Sequence, residues 1–153
     1  MALKSNKEYT MKRIIYFFCA AVILCCTSCN KENVNNIPDL SGKYICSFSI
    51  PDTPPYSASG TIDIQKNGDS GFTVSGSEPF QKASLFYISG QQYQFRIPQT
   101  YIVRNGKTYY ITLTATLTYE GGIFKTYSCQ AAYGEKGVSG NTYNVSNFKL
   151  KKQ

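Results

Sequence analysis

Residues Thr108 to Tyr119 alternate without a break between an apolar set and a mostly hydroxyl set. Tyr109, Ile111, Leu113, Ala115, Leu117 and Tyr119 fall on one side, and Thr108, Tyr110, Thr112, Thr114, Thr116 and Thr118 on the other. Successive side chains of an extended strand point to opposite faces, so a period of two places one face in a core and the other in water. Threonine fits the wet face because its branched Cβ suits a pleated surface better than a helix. A strand this long is not stable alone. It calls for paired neighbours and for cover over its apolar face, as in an antiparallel sheet closed or covered on one side.

The rest of the chain supplies those neighbours. Tyr44, Cys46, Phe48 and Ile50 alternate with polar positions until Pro51–Pro55, where the prolines remove ladder N–H groups. A second strand spans about Ser57 to Lys66 with Ile62 and Ile64 inward, and Asn67-Gly68 turns it toward Phe72 and Val74. Ala83–Ser89 and Gln92–Ile97 form a hairpin about Gly90, with the phase of the first arm open between Leu85/Tyr87 and Phe86/Ile88. Tyr101–Arg104 leads into a second Asn-Gly turn at Asn105-Gly106. After Glu120-Gly121-Gly122 the chain returns with Tyr127, Cys129, Ala131 and Tyr133 in one phase. Thr142–Lys151 closes the domain, with a bulge expected near Ser146-Asn147 because Tyr143 and Val145 are out of phase with Phe148 and Leu150. No segment has a helical period. The expected fold is all-β, about eight antiparallel strands in an up-and-down meander, closed into a barrel or folded as a two-sheet sandwich.

Ahead of this domain, Lys12 and Arg13 precede an apolar run from Ile14 to Cys26, followed by Thr27, Ser28 and Cys29 and then by polar Asn30-Lys31-Glu32. The run is the length of a secretory h-region and short of the roughly 20 residues of a spanning helix. It resembles a bacterial lipoprotein signal, although Cys26 stands where that motif prefers an aliphatic residue. The resemblance implies a signal peptide over residues 1–28, with Met11 as an alternative start, and lipidation of Cys29. Residues 29–39 then form a flexible tether, and residues 40–153 form a single domain. Lys31-Glu32 is similar to the export tag of Bacteroidota-type surface lipoproteins. The implied location is the outer membrane, lipid-anchored, on its periplasmic face or at the cell surface, since several acyl chains hold a protein there essentially for good.

Leu40-Ser41-Gly42-Lys43-Tyr44 at the start of the first strand, the meander, and a basic residue near the last strand resemble the lipocalin-like (calycin-like) small lipoproteins. The lipocalin opening has Trp where this chain has Tyr44, and the chain contains no Trp. The resemblance covers roughly Leu40–Lys151 and implies a cavity for a small apolar or amphipathic ligand.

The whole chain carries +7, but after Cys29 there are 12 Lys+Arg and 8 Asp+Glu, leaving +4. A charge so spread out is no nucleic-acid footprint. Lys149, Lys151 and Lys152 form the one cluster, read as a solvated end or a contact with anionic headgroups. Past Cys29 only Cys46 and Cys129 remain, open between one disulfide and two separate buried thiols. The protein has no His, which removes Ser-His and Cys-His nucleophiles and most transition-metal sites. The carboxylates sit mainly in turns, and only Glu78 with Glu120 offers a candidate catalytic pair. No metal, cofactor or catalytic residue is expected, and the chain reads as no enzyme.

Tyrosine is abundant, and its ring with a polar tip suits either a packed core or a cavity mouth. Tyr93, Phe95, Tyr109, Tyr127 and Tyr133 are the candidate cavity-lining residues. Two functions follow: a non-catalytic binding module for a small apolar ligand, or an accessory subunit of an outer-membrane complex with a filled barrel and a protein partner.

Overall fold

The computed structural model describes residues 37–153 other than 54 and 70. The expectations for the signal and Cys29 lie outside the described residues. The packed chain begins with Ile37 and Leu40, both buried. The strands are β1 (Gly42–Ile50), β2 (Tyr56–Asn67), β3 (Gly71–Gly76), β4 (Ser84–Ser89), β5 (Gln92–Arg104), β6 (Lys107–Glu120), β7 (Ile123–Glu135), β8 (Asn141–Asn144) and β9 (Lys149–Lys152). They make one antiparallel sheet in the order β8-β7-β6-β5-β4-β3-β2-β1-β9. The all-β meander is therefore present, in one sheet rather than the two of a sandwich.

The ladder does not close into a barrel: β8 lies at one edge and β9 at the other. These two strands are the two halves of the last segment, Thr142–Lys151, expected to be one bulged strand. Buried Val145 and Phe148 flank a turn at Ser146-Asn147, which carries the chain from β7 across to β1. Two apolar side chains of opposite phase are buried by a change of partner strand instead of a bulge. The C-terminal lysines belong to β9, where Lys152 Nζ stands 5.8 Å from the centre of the Tyr44 ring.

The long alternating strand is β6, with Ile111, Leu113, Ala115 and Leu117 buried as its pattern demands. In β4, Leu85 is buried and Phe86 and Ile88 are exposed, so the Leu85/Tyr87 phase is the inward one. Asn105-Gly106 turns β5 into β6 with φ of 50° and 75°, the left-handed conformations that a two-residue hairpin loop requires. Inward side chains from every strand except β8 join one apolar cluster. Within it β1 touches β7 through Tyr44 and Phe124, and β2 touches β7 through Tyr56 and Tyr133. Strands far apart in the ladder meet face to face, so the sheet is curled over its own core.

The expected phase of β7 fails at one place. Thr116 pairs with Ser128 but Leu117 pairs with Thr126, which leaves Tyr127 as an extra residue. The bulge turns Tyr127 outward, 78% exposed, while Phe124, Cys129, Ala131 and Tyr133 stay buried. Tyr127 is therefore not a cavity-lining residue. The bulge makes two tyrosines of equal sequence parity unequal in energy. Tyr127→Ala is expected to change stability by less than about 0.5 kcal/mol, whereas Tyr133→Ala is expected to cost about 3–5 kcal/mol. Denaturant midpoints of the two variants check this, and equal losses would rule the bulge out.

Candidate functional site

An up-and-down meander gathers its turns at two ends. The turns after β2, β4 and β6 lie at one end, and those after β1, β3, β5 and β7 at the other. The interior at the first end is filled by rings. Phe124 contacts Tyr44, Tyr93 and Tyr119 at centroid distances of 6.1, 5.7 and 4.9 Å, and Tyr93 also meets Phe72 and Tyr87. Edge-on and tilted arrangements dominate, the geometries that ring quadrupoles favour. Tyr44 donates its hydroxyl to the carbonyl of Leu40 at 2.8 Å, which satisfies a buried polar tip and pins the chain's entry.

The second end carries a stack. Tyr133 lies between Tyr56 and Tyr109, each 5.3 Å away, with interplanar angles of 14° and 6°. The guanidinium of Arg104 lies 5.5 Å from the centre of the Tyr56 ring, and its Nη1 donates to the Pro55 carbonyl and the Tyr133 hydroxyl, each at 3.3 Å. A planar cation on a ring face, with Nη1 directed at two oxygen acceptors, is placed here without a carboxylate partner among the described residues. Beside the stack, Tyr143 of β8 donates to Asp52 Oδ1 at 2.7 Å.

Three of the five candidate residues, Tyr93, Phe95 and Tyr133, are buried, and Tyr109 is half-buried on the stack. They do not converge on one site. Tyr93 belongs to the first end, Tyr109 and Tyr133 to the second, and Phe95 packs on Phe148 at 5.4 Å. Sequence reasoning missed Tyr56, Arg104 and Asp52. Pro98 alone marked the place in the sequence: beside it the register of β5 shifts between Ile97 and Thr100, which turns Ile102 inward and places Arg104 against the Tyr56 ring.

The described grooves lie on the outer surface. One of about 370 Å³ runs over Ser47, Ser49, Ser57, Ser59, Asn147 and Lys149. Another of about 430 Å³ lies over Thr114, Thr116, Ser128, Asn144 and Ser146, with Cys129 in its floor. Cys46 and Cys129 are buried free thiols. Burial raises both, Cys129 to about 12, so neither is a ready thiolate. Glu78 follows β3 at the second end, whereas Glu120 closes β6 at the first and pairs with Lys125 at 2.8 Å. The two carboxylates do not face one another. Among the described residues no cluster of three metal-ligating side chains occurs.

Burial pushes Tyr44, Tyr56 and Tyr93 each up to about 12 from an ordinary 10.0; neighbouring phenols add to it, and Arg104 opposes it at Tyr56. Above the ordinary value the unfolded chain releases protons that these folded tyrosines keep, so stability falls as pH rises. The denaturation midpoint is expected to be level up to about pH 8 and to fall from there to about pH 12, as first the two thiols and then the tyrosines ionise in the unfolded chain. A midpoint that holds constant or rises through that window would contradict the burial of these hydroxyls.

Compared with models of protein families, with curated proteins and with solved structures, the chain matches none.

Proposed function

We propose that this chain is a lipid-anchored protein of the bacterial outer membrane whose domain is a lipocalin-like, barrel-like scaffold with a filled interior. In this reading it works by engaging a protein partner. One observation carries the choice over a small-ligand module. Where Tyr93, Phe95 and Tyr133 would line a cavity, they touch other rings: Tyr93 meets Phe124, Phe95 meets Phe148, and Tyr133 is sandwiched between Tyr56 and Tyr109. A ligand of ordinary size asks for roughly 300 Å³ or more of enclosed space. Opening that much room would pull these pairs apart. Anchoring rests on the signal-like residues before Cys29, and the non-catalytic assignment rests on the lack of His and the separation of Glu78 from Glu120.

Native mass spectrometry of the full-length gene product, released gently from membranes, tests both parts. The expected spectrum shows the polypeptide with a covalent acyl mass and no small molecule that departs on denaturation. A dissociable ligand mass would overturn the filled-interior reading. Cys29→Ala is expected to remove the acyl mass and shift the protein out of the membrane pellet, and an unchanged pellet fraction would overturn the anchor.

A further inference from the structure

The sheet has an open edge in its interior order. The ladder between β4 and β5 covers Gln92–Arg96 of β5, but β5 continues to Arg104 paired only with β6. On the other side of the gap, Phe80 and Ser77 lie over the face of β2 at Gly60. Among the described residues, no backbone hydrogen bond reaches the β5 edge beyond Arg96 from the β4 side.

The hairpin fixes which groups are left over. Arg104 and Lys107 flank the two-residue turn and form its closing hydrogen-bonded pair. Ile102–Tyr109 and Thr100–Ile111 repeat that bonding two residues apart. The N–H and C=O of Tyr101 and Val103 therefore point away from β6, toward the side where β4 has ended. Pro98 lacks an N–H and the register shift beside it bends the strand, so an added strand begins beyond them. The free template is Gln99–Val103, an uncharged stretch without the lysines or inward charges that usually block an edge.

The side chains at this edge are apolar and exposed: Tyr101 at 47%, Val103 at 73%, and Val138 in the nearby β7–β8 loop at 61%. Lys136 Nζ sits 5.3 Å from the centre of the Tyr101 ring, and Arg96 is exposed on β5. Neither cation is in an ion pair among the described residues, whereas the nearby Glu135 is taken by Lys107 at 3.0 Å. A second copy pairing two-fold about Tyr101 would bring two Lys136 ammonium groups toward one axis, which disfavours self-association. An acidic strand meets the same groups favourably.

We propose that the Gln99–Val103 edge of β5 takes up an extended acidic strand of a partner protein. The strand's main chain bonds to Tyr101 and Val103, and its carboxylates lie against Lys136 and Arg96. This is strand addition, in which main-chain bonds supply affinity and alternate side chains supply selection. It rests on the partner-binding reading above and names the surface that reading needs.

Hydrogen exchange of the full-length chain in mild detergent, read residue by residue, tests the proposal. The probe is a synthetic peptide of alternating valine and glutamate, roughly ten residues long. A peptide of alternating valine and lysine is the control. In the free protein the amides of Tyr101 and Val103 are expected to exchange fast while those of Ile102 and Arg104 are protected. The acidic peptide is expected to slow Tyr101 and Val103 selectively, and the basic peptide to leave them unchanged. Tyr101→Pro removes one edge donor without touching the β6 ladder and is expected to weaken the acidic peptide about tenfold. Lys136→Glu leaves the strand intact and is expected to remove the preference for the acidic peptide over the basic one. Protection of Tyr101 that appears with protein concentration alone would assign the edge to a second copy and overturn the proposal, as would exchange unaffected by the acidic peptide. A ligand mass in the native spectrum would instead remove the filled-interior reading and leave this edge result standing.

Discussion

The chain from Asn141 to Lys152 has to satisfy both ends of one sheet, and the rest of the domain depends on how it does so. Its first half bonds to β7 and its second half to β1, with the turn at Ser146-Asn147 between them. Because no ladder spans the seam, other contacts hold it. Val145 N donates to the Cys129 carbonyl and Thr126 Oγ1 to the Phe148 carbonyl, both at 2.8 Å; the Ser49 amide donates to Asn147 Oδ1 at 2.9 Å. The Tyr143–Asp52 bond ties β8 to the turn after β1. A single net hydrogen bond contributes on the order of 1 kcal/mol, so the seam is set by several together with the rings beneath them.

Those rings link the seam to function. Curling a sheet brings its inner faces together, and the interior must then be filled or hold something. In this chain it is filled from the first end by Tyr44, Tyr93, Tyr119 and Phe124 and from the second by the stack of Tyr56, Tyr133 and Tyr109 capped by Arg104. The domain's remaining chemistry then faces outward, on serine- and threonine-lined grooves and on the unpaired length of β5. A scaffold of this kind recognises by surface and by edge.

Much of the fold was legible because strand alternation and Asn-Gly turns are local signals. β6 and the Asn105-Gly106 hairpin need only neighbouring residues to be read. Three features resisted for a common reason. The bulge at Tyr127, the inward turn of Ile102 and Arg104 beyond Pro98, and the split of the last strand each depend on which strand lies opposite. The sequence around Tyr127 carries no Gly or Pro to mark the extra residue, so the odd-numbered phase looked continuous from Tyr127 to Tyr133. In β4, Leu85 and Phe86 are both good strand-interior residues, and only packing against Phe95 and Phe72 decides between them. Of the candidate site, the tyrosines were visible as a composition; the stack was not, since Tyr56 and Tyr133 are brought together by curling of the sheet.

β1 and β7 face one another across the interior although they are not ladder neighbours. A double-mutant cycle on Tyr44 and Phe124, each truncated to alanine singly and together and read by denaturant unfolding, tests this most directly. A favourable coupling of about 0.5–1.5 kcal/mol between the two rings is expected. Strictly additive losses would contradict it, because an uncurled sheet would hold these two side chains far apart.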